Sequence, residues 1–85
     1  MATDATIELE GPPLAPPDVQ RFATSLRAAL GAERCPAHGP QLTALHHWRR
    51  GDSTAFVASI CCNLRASLAV KQMLAVARAA GRDAH

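Results

Sequence analysis

The sequence predicts a small α+β domain in which two helices pack on one face of a small antiparallel sheet. Three observations carry that prediction. Apolar residues recur at helical spacing over residues 17–30 and again over residues 63–80. Two runs rich in β-branched and aromatic residues, 41–49 and 54–61, flank the turn-forming Arg50-Gly51-Asp52-Ser53. The 85 residues leave room for one core only. The expected order is (β)-α-β-β-α, the bracketed element being a candidate edge strand near the N-terminus.

Residues 1–16 read as a flexible N-terminal segment and residues 17–85 as the domain itself. Within the first, Thr6-Ile7-Glu8-Leu9-Glu10 alternates polar and apolar side chains as an edge strand does. Gly11-Pro12-Pro13-Leu14-Ala15-Pro16-Pro17 continues neither a sheet nor a helix and reads as an extended spacer. Pro17 suits the first turn of the helix that follows, and Asp18 places a negative charge at the positive end of its dipole. Val19, Phe22, Leu26 and Leu30 form the apolar stripe of that helix, with Gly31 placed to cap it. Pro36, Gly39 and Pro40 keep the next segment irregular.

The two strand runs form a hairpin that turns at Gly51-Asp52, with Arg49 across from Thr54 and Leu42 roughly opposite Cys61. Alternation puts His47 and Arg49 on one face and His46 and Trp48 on the other, with Trp48 expected to anchor the core. In the last helix Asn63 is the expected N-cap and Gly81 the stop. Ala66, Val70, Met73, Leu74 and Ala77 make one stripe, while Leu64 and Leu68 lie away from it. A helix apolar on more than one side packs against two things, and the second is expected to be a protein partner or another copy of the chain.

Composition sharpens this. Of the 85 residues 48% are hydrophobic, but 18 are alanines, which bury little area at roughly 25 cal/mol per Å². A chain of this size removes only about 60–65% of its unfolded surface from water. Thin cores of this kind are helped by a metal, a disulfide or a partner subunit. A net charge of +2 argues against a nucleic-acid clamp. The N-terminus carries Asp4, Glu8 and Glu10 where a secretory signal needs basic residues, and no run approaches the roughly 18 apolar residues of a membrane span. The expected setting is cytoplasmic, where thiols stay reduced and an odd cysteine count is natural.

The cysteines then become a location. Cys35-Pro36-Ala37-His38-Gly39 precedes the first hairpin strand, and Cys61-Cys62 ends the second. The hairpin register brings both segments to the same end of the sheet. Cys35, His38, Cys61 and Cys62 are together the ligand set of a Cys3His zinc site, whose binding free energy would add to folding. Adjacent cysteines point to opposite faces of a strand, so both reach one ion only if the chain turns into the helix there. His46 or His47 would be the substitute ligand otherwise. Two alternatives stand beside this one. Buried cysteines behave as small hydrophobes and fill cores. A thiol at a helix N-terminus, here Cys62, is also a candidate for redox chemistry.

The Cys-x2-His-Gly turn, the hairpin, the Ile-Cys-Cys strand end and the amphipathic helix together resemble a group of small uncharacterised bacterial domains, over about residues 17–80. The resemblance implies a fold and no catalytic activity.

Other features read as structure. His46-His47-Trp48-Arg49-Arg50 is basic and aromatic, but one cluster in a chain of charge +2 is a weak nucleic-acid signal. Arg50-Gly51-Asp52 is a hairpin turn before it is an adhesion motif. No Gly-rich phosphate loop, nucleophile elbow or placed carboxylate pair argues for an enzyme. The expected function is a binding or interaction module with a Cys/His metal corner. The competing readings are a metal-free domain that dimerises through its last helix, and a thiol-based redox protein.

Overall fold

A computed structural model describes residues 3–85. The elements in chain order are β1 (Thr3–Leu9), α1 (Pro16–Gly31), β2 (Arg34–Cys35), β3 (Gly39–Pro40), β4 (Leu42–Arg50), β5 (Ser53–Ile60) and α2 (Asn63–Ala79). The predicted α+β class and its order hold. The three long strands form one antiparallel sheet in the order β1-β5-β4, with β1 and β4 as its edges. β2 and β3 pair separately as a short hairpin in the segment read as irregular. Two-residue strands have no periodicity to detect, which is why composition shows only the breakers around them.

One face of the sheet carries the core. Ala5, Ile7 and Leu9 of β1 and Phe56, Ala58 and Ile60 of β5 alternate inward, opposite Phe22, Leu26 and Leu30 of α1 and Ala69, Met73 and Ala77 of α2. Phe22 and Phe56 meet with ring centroids 4.8 Å apart at 39°, a tilted geometry that aromatic pairs favour. The largest fully buried side chains are Phe56, Ile7, Leu9, Leu26, Leu30, Ile60, Met73 and Gln41. All but Gln41 are apolar, and each of those contributes about 1.5–3 kcal/mol by leaving water. The alanines at 58, 69 and 77 add little area but let the helix approach the strands closely. The strand β1 reaches three residues further toward the N-terminus than the alternation of residues 6–10 implies, and Leu9 also bridges to Ala84 near the C-terminus.

Several local expectations are corrected. Trp48 is not a core anchor: it lies opposite Ala55 on the helix-free face and is 41% exposed. The split of His47 and Arg49 from His46 and Trp48 is right, but the face that the helices cover is that of His47, itself exposed at the sheet edge, whose ring centroid stands 5.9 Å from that of Phe56. Alternation separates two faces without saying which one the helices cover. Trp48→Ala is accordingly expected to cost about 1 kcal/mol, against about 3–5 kcal/mol for Phe56→Ala, as denaturant midpoints would read. Equal losses would return Trp48 to the core.

Gly31 does not cap α1; it is the last helical residue, and Ala32, in a right-handed conformation, closes the helix. Asn63 is not the N-cap of α2; Cys62 is, with no side-chain capping bond, and the Asn63 side chain meets Thr3 instead. At the other end Gly81 does stop α2, with φ of +75. Arg82 N–H donates to the Ala77 carbonyl at 2.9 Å and Gly81 N–H to that of Arg78 at 3.0 Å, the paired bonds of a Schellman motif. Among the described residues no helix is long and apolar enough to cross a membrane.

Candidate metal centre

The hairpin delivers the cysteines. Arg50 pairs with Ser53 around Gly51-Asp52, and Gly51 has φ of +60, which a type II′ turn requires at its first central position. Arg49 faces Thr54 as predicted. Leu42, however, faces Ile60 and not Cys61, because the register shifts between Leu42 and Ala44. The Cys61 N–H instead donates to the Gln41 carbonyl at 3.0 Å. A bulge inserts one residue on one strand and re-aims its end. The convergence survives this one-residue slip.

The segment before β4 folds into a tight knuckle. Arg34 pairs with Pro40 and Cys35 with Gly39, and the His38 N–H donates to the Cys35 carbonyl at 3.2 Å across the intervening turn. Pro36 supplies the fixed φ that suits the first central position of such a turn. Gly39, with φ of +83, lets the chain reverse into β3 where a side chain would be strained. Cys35 and His38 therefore stand at the two ends of one turn, and their donor atoms meet.

The second pair solves its geometry at a corner. The chain bends at Cys61 directly after β5, and Cys62 is extended, with φ of −162 and ψ of 165, immediately before α2. Leaving strand geometry at that point brings two adjacent side chains together. Cys61 and Cys62 place their sulfurs 3.8 Å apart.

The four residues form one cluster. Cys35 Sγ lies 3.4 Å from His38 Nδ1 and 3.9 Å from Cys62 Sγ, and all four donor atoms fall within 4.8 Å of one another. A tetrahedral ion with metal–sulfur bonds of about 2.3 Å and a metal–nitrogen bond of about 2.0 Å sets sulfur–sulfur spacings of about 3.8 Å and sulfur–nitrogen spacings of about 3.5 Å. The Cys35–His38, Cys35–Cys62 and Cys61–Cys62 distances match those spacings, and the widest separation in the cluster stays within 4.8 Å. They also exceed the roughly 2.05 Å of a disulfide, and all three cysteines are free thiols. Cys35 and Cys61 are buried, Cys62 is partly buried and His38 is exposed.

Electrostatics splits the thiols. Hydrogen bonding with the His38 ring, assisted by the backbone N–H groups of Ala37 and His38, draws the Cys35 thiol from 9.0 down to about 6. Burial, with the neighbouring Cys35 and Cys62 sulfurs, pushes the Cys61 thiol up to about 11. Without a cation, three sulfurs this close cannot share more negative charge cheaply. The four donor atoms lie close enough together to hold a metal ion.

All four residues singled out in the sequence come together, and the substitute ligands do not join them. His46 and His47 lie further along β4, paired with Val57 and Phe56. The thiol held by an imidazole is Cys35, on the knuckle, whereas the helix-terminus argument had pointed to Cys62. Sequence reasoning missed the polar residues around the cluster, Glu33, Arg34, Gln41, Arg65 and Gln72. One signal was present: Arg65 stands in the first turn of a helix, where acidic residues are the norm.

The chain matches no protein-family model and no curated protein at a significant level.

Proposed function

We propose that Cys35, His38, Cys61 and Cys62 bind one zinc ion and that the ion closes the fold of a small interaction module. The observation that supports this reading is the spacing of the four donors, all within 4.8 Å of one another, with the Cys35–His38, Cys35–Cys62 and Cys61–Cys62 pairs at the separations of a tetrahedron. Three thiolates with one imidazole suit zinc, and four protein ligands leave no open position for substrate, as in a structural centre. The small alanine-rich core supplies the physical need: zinc joins the knuckle to the β5–α2 corner, which no other covalent link does. Three reduced thiols fit a cytoplasmic setting.

Titration with zinc against a chromophoric chelator tests the reading. The expected stoichiometry is one ion per chain, with cobalt giving the intense visible absorption of a tetrahedral thiolate complex. Absence of saturable binding would overturn it. Acidification should weaken binding, because zinc needs thiolates and protons compete for them. Cys61, at about 11, must surrender a proton to bind, so affinity should fall at least about tenfold for each pH unit lost below neutrality. A pH-independent affinity would exclude thiolate ligation by Cys61.

A second reading concerns the partner, and a specific observation favours it. Leu64 is 89% exposed and Leu68 40% exposed, four residues apart on one side of α2. Such a pair is a natural contact for a second copy of the chain. Light scattering at high concentration is expected to give a dimer that Leu68→Lys dissociates. A monomeric mass throughout would refute self-association and leave the metal reading intact.

A further inference from the structure

We infer that Gln41 and Arg65 are positioning residues of the metal centre, clasping its two ligand-bearing segments together and offsetting its negative charge. The inference rests on the zinc reading above and assigns a role to residues that provide no ligand atom.

Gln41 is 0% exposed and is, among the described residues, the one polar residue of the large, fully buried side chains. It uses both ends of its amide. Nε2 donates to the Leu30 carbonyl at 3.3 Å and to Gln72 Oε1 at 3.2 Å, while Oε1 accepts from Arg65 Nε at 3.1 Å. Its backbone carbonyl accepts the Cys61 N–H at 3.0 Å. Arg65 continues the network: Nη2 donates to the Arg34 carbonyl at 3.2 Å and pairs with Glu33 Oε2 at 3.4 Å. One end of the clasp thus holds the peptide preceding Cys35, and the other holds the peptide of Cys61. Relative motion of the two ligand pairs would break these bonds first.

The position of Arg65 points the same way. A cation in the first turn of a helix opposes the helix dipole. The first turn of α2 has no acidic residue, and Cys62 makes no side-chain capping bond. A zinc ion held by three thiolates and a neutral imidazole carries one net negative charge. Placed at Cys62, that charge stands where a capping carboxylate would stand, one turn from Arg65, whose guanidinium already pairs with Glu33. Local rules broken together at one place mark a functional site.

The test compares cobalt binding, in competition with a chelator, by the wild type, Arg65→Met, Arg65→Lys, Gln41→Leu and the core control Ile7→Val. Arg65→Met and Gln41→Leu should lose about 10–100-fold in affinity, the range for residues that orient metal ligands, and should alter the visible cobalt–thiolate bands. Arg65→Lys should recover part of the affinity, because the charge returns without the planar fork. Ile7→Val, which weakens the core away from the cluster, should leave both readouts at wild-type values. Should Arg65→Met fail to fold, the Lys and Gln41→Leu variants decide. Wild-type affinity and spectrum in the Arg65 and Gln41 variants would overturn the inference, as would an equal loss in Ile7→Val. A wild type that binds no cobalt would overturn the zinc reading and this inference with it.

Discussion

Stripping the metal with a strong chelator is expected to lower the melting temperature of this domain by about 15–30 °C. A ligand bound at 1,000 times its dissociation constant contributes about 4 kcal/mol to stability, and each kcal/mol moves the midpoint of a domain this size by about 4–8 °C. Scanning calorimetry with and without chelator reads the difference directly. The loss should begin at the knuckle formed by β2 and β3, which has only four strand residues and whose buried Cys35 belongs to the cluster. Amide exchange of residues 34–40 should therefore rise well before that of β5, where Phe56, Ala58 and Ile60 are fully buried. Readding zinc should restore both. A melting temperature indifferent to chelator would mean that the apolar core alone holds the fold.

Replacing Cys61 or Cys35 with serine should have the next largest effect, and its pattern is diagnostic. On the zinc reading each variant removes one ligand, so metal affinity should fall by more than the roughly 10–100-fold typical of residues that only orient ligands. In zinc-containing buffer both should melt far below the wild type. In chelator the gap should shrink to about 1–2 kcal/mol, the ordinary cost of placing a hydroxyl in a buried thiol's position. This interaction between mutation and chelator separates ligands from core-filling thiols. Inert cysteines would show the same small loss in both buffers. His38→Ala belongs in the same set: His38 is exposed, so once the metal is gone its stability loss should shrink to the small contribution of its hydrogen bond with the Cys35 sulfur.

Much of this was legible in the residues because strand pairing is an addressing system. A turn at Gly51-Asp52 with Arg49 opposite Thr54 was enough to carry residues 35–38 to the corner of Cys61 and Cys62. The bulge between Leu42 and Ala44 moved the pairing by one residue and left that meeting intact. The inward face of the hairpin was not legible, because alternation is symmetric until something covers one side. Trp48 shows the consequence: the largest side chain in the chain stands 41% exposed on the open face, while Ile7, Phe56 and Met73 carry the interior.

Helix ends were read unevenly for a comparable reason. Gly81 was identified because positive φ is a property of the residue, whereas Asn63 lost the capping position to Cys62, whose side chain belongs to the cluster. Capping preferences describe isolated helix ends and yield to a stronger local demand. The clasp of Gln41 and Arg65 was beyond reach, since nothing in a single sequence pairs two residues 24 positions apart. An arginine in the first turn of the last helix is the one signal the sequence offers, and the structure supplies its partners.

The most direct test of the central claim is the metal content of the protein purified without chelator, read by native mass spectrometry alongside thiol titration. One zinc per chain is expected, with Cys35, Cys61 and Cys62 slow to react until the ion is removed. Less than about a tenth of an equivalent of metal in the folded protein, with all three thiols titrating freely, would contradict it.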